Sequence, residues 1–225
     1  MKYATDDVRH KTLQTRIDIG FKDSYTAWQN EPAEFTEHTL VINGHPVMED
    51  WEDSYMKALA NIATQNGGRV LEVGYGMGIS ARYIQQQKIL EHIIIEANND
   101  VYRELEKFAT SSTIQVRPLH GFWQDTIKTL EDNSIDGILF DTYPLTEAEV
   151  HCNHFDFFNE AYRVLKSGGI LTYYSDEISD FSDIHLKKLH AAGFAKIDKE
   201  ICTLDTPEGC QYWQSKTMIA PKIYK

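Results

Sequence analysis

The sequence of 225 residues has no run of about 18 apolar residues, so a membrane-spanning helix is not expected. Its first residues, "MKYATDDVRHKTLQTR", mix charges without an apolar stretch, which argues against a secretory leader. Positive charge is scarce: 22 Lys and Arg stand against 34 Asp and Glu, giving a net charge of −12. Such a surface repels phosphate backbones, so neither nucleic acid nor a membrane is an expected partner, and a cationic or zwitterionic small molecule is favoured. Cysteine is rare too. Cys152, Cys202 and Cys210 form no CxxC pair and are odd in number, which fits reduced thiols in a cytoplasmic protein better than a disulfide framework. "HCNH", His151 to His154, lacks metal-ligand spacing and reads as two solvated histidines at a helix start, so no metal is expected. There is no repeat and no low-complexity linker. Residues 1–225 therefore read as one domain, with an arm or lid over 1–45 and a core over 46–225; monomer and homodimer both remain open.

From residue 69 onward, apolar runs alternate with helical patterns at βαβ spacing. Strands are expected at 69–73, 92–97, 113–119, 137–141 and 169–174, with helices at 79–88, 101–110, 123–130 and 147–165. The glycines of "KSGG" (166–169) mark a helix stop, and "DIHLKKLHAAGF" is a further helix ended by Gly193. Two tail strands, 196–204 and 215–221, would close the sheet with an antiparallel edge. The fold class is α/β: a mostly parallel sheet with helices on both faces.

"RVLEVGYGMGIS" places Gly74, Gly76 and Gly78 between the first parallel strand and its helix, where glycine permits a tight turn and close approach of a ligand. Glu72, just ahead of them, disfavours a diphosphate and suits a ligand with an ammonium group. The next strand, in "HIIIEANND", ends on Glu96, about twenty residues beyond the glycines, where a carboxylate commonly accepts hydrogen bonds from ribose hydroxyls.

Two further acids are out of place. Read as a helix from about Met48, the segment to residue 59 has an apolar stripe of Met48, Trp51, Tyr55, Met56 and Leu59, with Glu52 in its middle. A carboxylate there is costly unless paired with a cation. "DGILFDTYPLT" ends a buried strand on Asp141, at a rim. Together Glu52 and Asp141 are what a planar, multiply donating guanidinium needs.

The glycine loop, Glu72, Glu96 and "LKSGGIL" resemble the class I S-adenosylmethionine-dependent methyltransferases, which implies a Rossmann-like, seven-stranded sheet with an antiparallel last edge strand. More specifically, "GHPVMEDWEDSYM", "GGRVLEVGYGMGIS", "EHIIIEAN", "PLHGFWQD", "IDGILFDTYPLT" and "LKSGGILTYY" resemble the guanidinoacetate N-methyltransferase family, with related similarity to arginine δ-N-methyltransferases. The resemblance implies S-adenosylmethionine as cofactor and guanidinoacetate, methylated to creatine, as the small guanidino substrate. It makes Glu52 and Asp141 the catalytic clamp on the guanidino group, with Asp141 also beside the cofactor. Glu72, Gly74, Tyr75, Gly76, Met77, Gly78, Ile79 and Ser80 become the loop at the cofactor's methionine end. Glu96, Ala97 and Asn98 fall at its ribose, Trp123 and Gln124 at its adenine, Met48 and Met56 along its pocket, and Trp28 in a closing lid. Asp176 and Glu177 match the positions facing the substrate's far end. Two acids there would repel a carboxylate, so free or protein arginine is the alternative substrate. A cofactor-binding protein without turnover is the alternative of another class.

Overall fold

The β-branched runs at 69–73, 91–96 and 135–140 can only be buried on both sides, and in the computed structural model, which describes residues 14, 17–21 and 25–225, they form the middle of a seven-stranded sheet. Its strands are β4 (Arg69–Val73), β5 (Glu91–Glu96), β6 (Val116–His120), β7 (Ile135–Phe140), β8 (Leu165–Tyr173), β9 (Lys196–Thr203) and β10 (Thr217–Tyr224). The order is β6-β5-β4-β7-β8-β10-β9; β4 to β8 run parallel, and β10 is antiparallel to both neighbours. The antiparallel edge expected from the tail is thus present. Side chains alternate across the sheet. Val70, Ile94 and Leu139 pack on one face against α2 (Asp53–Ala63), α3 (Ile79–Ile84) and α4 (Asn99–Ser111). Leu71, Ile93, Ile138 and Phe140 pack on the other, with residues of α6 (Phe158–Val164) and α7 (Asp183–Ala191). A short helix, α5 (Trp123–Thr126), passes into a 3₁₀ turn (Ile127–Thr129) within the expected 123–130 segment.

The chain leaves β4 toward β5 on one side and returns to β7 on the other. The C-terminal ends of β4 and β7 therefore flank a crevice at the switch point, the usual ligand position in an open α/β sheet. Residues 25–45 of the segment expected as an arm or lid, together with 46–49, lie over this crevice. α1 (Tyr25–Asn30) is followed by an antiparallel sheet of β1 (Ala33–Phe35), β2 (Thr39–Ile42) and β3 (His45–Glu49). Asn98 fastens α1 to the end of β5: its Nδ2 donates to Trp28 O at 3.1 Å and Glu31 O at 2.8 Å. Residues 1–13, 15–16 and 22–24 of the 1–45 segment lie outside the described residues.

Three expectations need correction. Met48 lies on β3, so the helical segment starts later, with a 3₁₀ turn at Asp50–Glu52 leading into α2. The helix expected at 147–165 is broken. His151 adopts a left-handed backbone (φ +64°), leaving two 3₁₀ turns, Glu147–Glu149 and Asn153–Phe155, before α6. His151 and His154 are buried rather than solvated; His154 stacks on Tyr173 with centroids 4.9 Å apart. All three cysteines are free, and among the described residues no helix is long and apolar enough to cross a membrane.

Candidate active site

A cavity of about 260 Å³ occupies the crevice, walled by the ends of β4, β5 and β7 below and by Trp28, Leu40, Ile42 and Met48 above. At one end is the glycine loop. Gly74 has φ +92°, and a Cβ there would lie 1.9 Å from Asp141 O, so only glycine lets the ends of β4 and β7 approach this closely. Gly76 (φ +53°) likewise leaves room for Met48 Sδ, which a Cβ would meet at 2.9 Å. Glu96 ends β5 beside them. Its Oε2 accepts from Tyr75 N–H at 3.0 Å and its Oε1 from Asn98 N–H at 2.8 Å. Burial raises its pKa, and these backbone donors work against the rise. Ala97, Trp123 and Gln124 complete this end. Trp123 is held edge-on to Phe157 (5.2 Å), and the Gln124 side-chain carbonyl is buried with no donor among the described residues.

At the other end stand Glu52, Asp141, Asp176, Tyr174 and Tyr212. Glu52 closes the capping box that starts the turn before α2: Glu49 N–H donates to its Oε1 at 3.0 Å. Tyr212 Oη donates to the same oxygen at 2.5 Å, which leaves Oε2 without a donor among the described residues. Burial pushes Glu52 up to about 8, the negative charge of Asp141 adds to this, and the Tyr212 hydrogen bond opposes it. Asp141 follows the last residue of β7, with its own N–H donating to Val73 O at 2.9 Å. Burial pushes its carboxyl up to about 7, reinforced by the charges of Asp176 and Glu72. Among the described residues no lysine or arginine lines the cavity.

The remaining sequence-predicted residues support these walls without lining the cavity. Glu72 was expected to meet a ligand's ammonium group. Its carboxylate points instead into the protein, accepting from Ser80 Oγ and lying 2.9 Å from His92 Nε2. Tyr75 packs beside Phe108, Met56 and Ile79 are core residues, and Gly78 is the left-handed N-cap of α3. Met77 N–H donates to Met48 Sδ at 3.3 Å. Asn98 caps α4 through Asp100 N–H and Val101 N–H. Glu177 turns away from the cavity toward Ser182 N–H (3.1 Å) and His185.

Other lining residues carried no sequence signal. Tyr212 lies 160 residues from the acid it bonds. Tyr143 stacks on Trp28 at 5.2 Å with rings 4° apart, and its hydroxyl meets His45 Nδ1 at 2.9 Å. Asn153 fastens the rim by donating to Thr142 O at 2.6 Å. Tyr143 alone had a hint, its adjacency to Asp141 in "DTYP".

The strand order, glycine turn and β5 carboxylate define a Rossmann-like class I methyltransferase fold. A spermidine synthase from Thermotoga maritima superposes with a TM-score of 0.61, covering 86% of this chain and 71% of its own at 15% identity. TYW2 of M. jannaschii, solved in complex with AdoMet, gives 0.57, covering 87% and 86% at 15% identity. At such identities the likeness is one of fold alone. The sequence itself matches the guanidinoacetate N-methyltransferase family over residues 18–225, and the chain belongs to that family. Protein arginine N-methyltransferase 2 of Yarrowia lipolytica is 33% identical over 181 residues, covering 76% of this chain and 37% of that protein. The Saccharomyces cerevisiae protein of the same name is 27% identical over 186 residues, covering 73% and 44%. The chain thus spans less than half the length of these curated relatives. The family supports S-adenosylmethionine as the cofactor.

Proposed function

We propose that this chain methylates a guanidino nitrogen, with Glu52 and Asp141 as the clamp on the guanidino group. The single observation that carries this reading is the pair of cavity carboxylates, Glu52 buried and Asp141 half-buried, both raised in pKa and neither ion-paired with a lysine or arginine among the described residues. Such a pair is destabilised until a cation arrives, and a guanidinium offers forked donors to both.

The glycine-loop end fits S-adenosylmethionine. Glu96 has the position and hydrogen-bonding capacity for a ribose diol, and the unsatisfied Gln124 carbonyl is an acceptor for an exocyclic amine. Gly74 and Gly76 leave the close approach that the ligand's amino-acid end needs. When bound, this cofactor supplies a methyl group on a sulfonium sulfur. The chain's own part is positioning and proton handling. Asp141, fixed at a strand end, and Glu52, fixed at a helix start, hold two guanidino nitrogens and localise the positive charge there, so that the third keeps its lone pair. Asp141 takes the proton released as that nitrogen is alkylated; a carboxyl with a pKa near 7 suits this transfer at neutral pH.

Guanidinoacetate, giving creatine, is the substrate suggested by the family's name; arginine is suggested by the curated relatives' names. The charge of the cavity supports arginine. In guanidinoacetate one methylene separates guanidine from carboxylate, which brings a negative charge close to Asp141 and Asp176, whereas the arginine side chain keeps them apart. The test is transfer of a labelled methyl group to guanidinoacetate, arginine and an arginine peptide. Labelled product whose added mass maps to a guanidino nitrogen supports the reading. Cofactor binding without product would mean a binding protein without turnover.

A further inference from the structure

The segment over the crevice is tied down along both of its edges, and the two sets of ties differ in kind. On one side three consecutive residues at the start of α4 grip it. Asn98 Nδ2 donates to Trp28 O and Glu31 O, Asn99 Nδ2 donates to Asn30 Oδ1 at 2.9 Å, and Ala33 N–H donates to Asp100 Oδ2 at 3.1 Å. Three of these four bonds end on main-chain atoms of residues 28–33, so they break only if that backbone moves. On the other side, three contacts between side chains land on the rim that follows Asp141. Trp28 stacks on Tyr143, His45 Nδ1 meets Tyr143 Oη, and Tyr25 Oη donates to Glu149 Oε1 at 2.9 Å.

Tyr25 closes the seam on that second side. Its ring packs on Phe122 with centroids 5.0 Å apart, next to Trp123 and Gln124, while its hydroxyl reaches the rim, so one side chain bridges two walls of the cavity. The acceptor is already in place. Glu149 Oε2 accepts from Leu145 N–H at 2.7 Å and Thr146 N–H at 3.2 Å, which fixes the carboxylate on its own 3₁₀ turn with Oε1 toward Tyr25. Tyr25 is 41% exposed, and an exposed side chain changes rotamer within nanoseconds, so this tie releases without any backbone rearrangement. We infer that α1 is a strap hinged at Asn98–Asp100 and latched by Tyr25 on Glu149, and that opening of the latch sets how fast the cofactor and its product pass. Such a gate acts on the cofactor whatever the methyl acceptor is. A latch that favours the closed strap equally with and without ligand changes the rates of entry and exit together and leaves the affinity in place.

Stopped-flow tryptophan fluorescence of the full chain mixed with S-adenosylhomocysteine gives the association and dissociation rate constants, and calorimetric titration gives Kd. Tyr25→Phe keeps the ring on Phe122 and removes only the hydroxyl. Association and dissociation should each quicken about fivefold, the change expected for one lost hydrogen bond, with Kd within about twofold of the native value. Asn99→Ala removes one bond on the hinge side, where the three main-chain bonds remain, and should leave both rates within about twofold of native. Unchanged rates in Y25F would overturn the latch. Faster dissociation alone, with Kd weakened in proportion, would make Tyr25 an ordinary ligand contact and overturn it as well. Acceleration in N99A equal to that in Y25F would erase the distinction between hinge and latch, and with it the inference.

Discussion

At the glycine-loop end of the cavity Glu96 is buried and accepts two backbone hydrogen bonds; at the opposite end Glu52 is buried, Asp141 is half-buried, and the charge of Asp141 works against ionising Glu52. All three carboxyls are raised by burial, yet the environments differ in kind. Around Glu96 the donors are main-chain N–H groups in place before any ligand arrives, so this end is organised for a ligand that needs shape and hydrogen bonds. Around Glu52 and Asp141 the only side-chain donor among the described residues is the Tyr212 hydroxyl, so the pair is poised for a ligand that supplies charge. On the proposed reading, the two ends keep recognition of the cofactor separate from recognition of the group to be modified.

Replacing the acid with the heavier chemical duty should give the largest effect. Asp141→Asn keeps size and shape and removes the proton acceptor. Turnover should fall about a thousandfold while S-adenosylmethionine binding changes only a few-fold. Steady-state rates alongside a binding titration test this. Turnover within about tenfold of the native value would take Asp141 out of the base role and erase the contrast between the two ends.

Glu52→Gln should lower kcat/KM by about a hundredfold and, unusually for an active-site change, stabilise the unliganded chain at alkaline pH. Glu52 titrates at about 8 in the folded chain against an ordinary 4.5. Between those values the folded chain keeps a proton that the unfolded chain has released, so stability is lost as pH rises from 4.5 through 8. The amide has no such slope. Thermal melting at pH 6 and pH 9 should show the variant's advantage growing with pH, by about 2–4 °C per kcal/mol for a chain of this size. A constant difference at both pH values would mean that Glu52 is not held above the ordinary carboxylate range.

At the other end the expected pattern is reversed. Glu96→Gln should weaken S-adenosylmethionine binding by roughly tenfold, the loss expected when hydrogen bonds to an ionised group are downgraded. The relative rates with different guanidino compounds should not move. A change in substrate order in this variant would show that the ends are coupled.

What the sequence disclosed about these ends follows from the range of the interactions involved. Glu96 was legible because the strand is continuously apolar and stops on the acid. Glu52 was legible because an acid beside Met56 on an apolar stripe is costly, even though Met48 belongs to a strand and the helix starts later. The mostly parallel sheet could be read from the alternation of runs, since each β-α pair is a local pattern. Asp176 and Glu177 were indistinguishable, because only a left-handed backbone angle decides which of them faces the cavity. The break at His151 was hidden for the same reason: Ala148, Phe155, Phe158 and Tyr162 keep helical spacing across it while the backbone does not. The orientation of Glu72 depends on His92 in the neighbouring strand, and the role of Tyr212 on a contact spanning 160 residues. No local pattern carries either.

Tyr212 offers the finest test of the contrast, because it touches charge at one end without removing any. Its hydroxyl lowers the Glu52 pKa by stabilising the ionised form, so Tyr212→Phe should raise that pKa further. Guanidino binding needs Glu52 ionised, so the acid limb of the pH–kcat/KM profile, set by groups near 7 and 8, should move to higher pH by roughly half a unit to one unit. At pH 7 the variant should be several-fold slower, and near pH 9 it should approach the native rate. A purely structural loss would depress the whole profile equally. An unshifted limb would place the titration controlling the reaction on Asp141 alone, with Glu52 acting only through its shape.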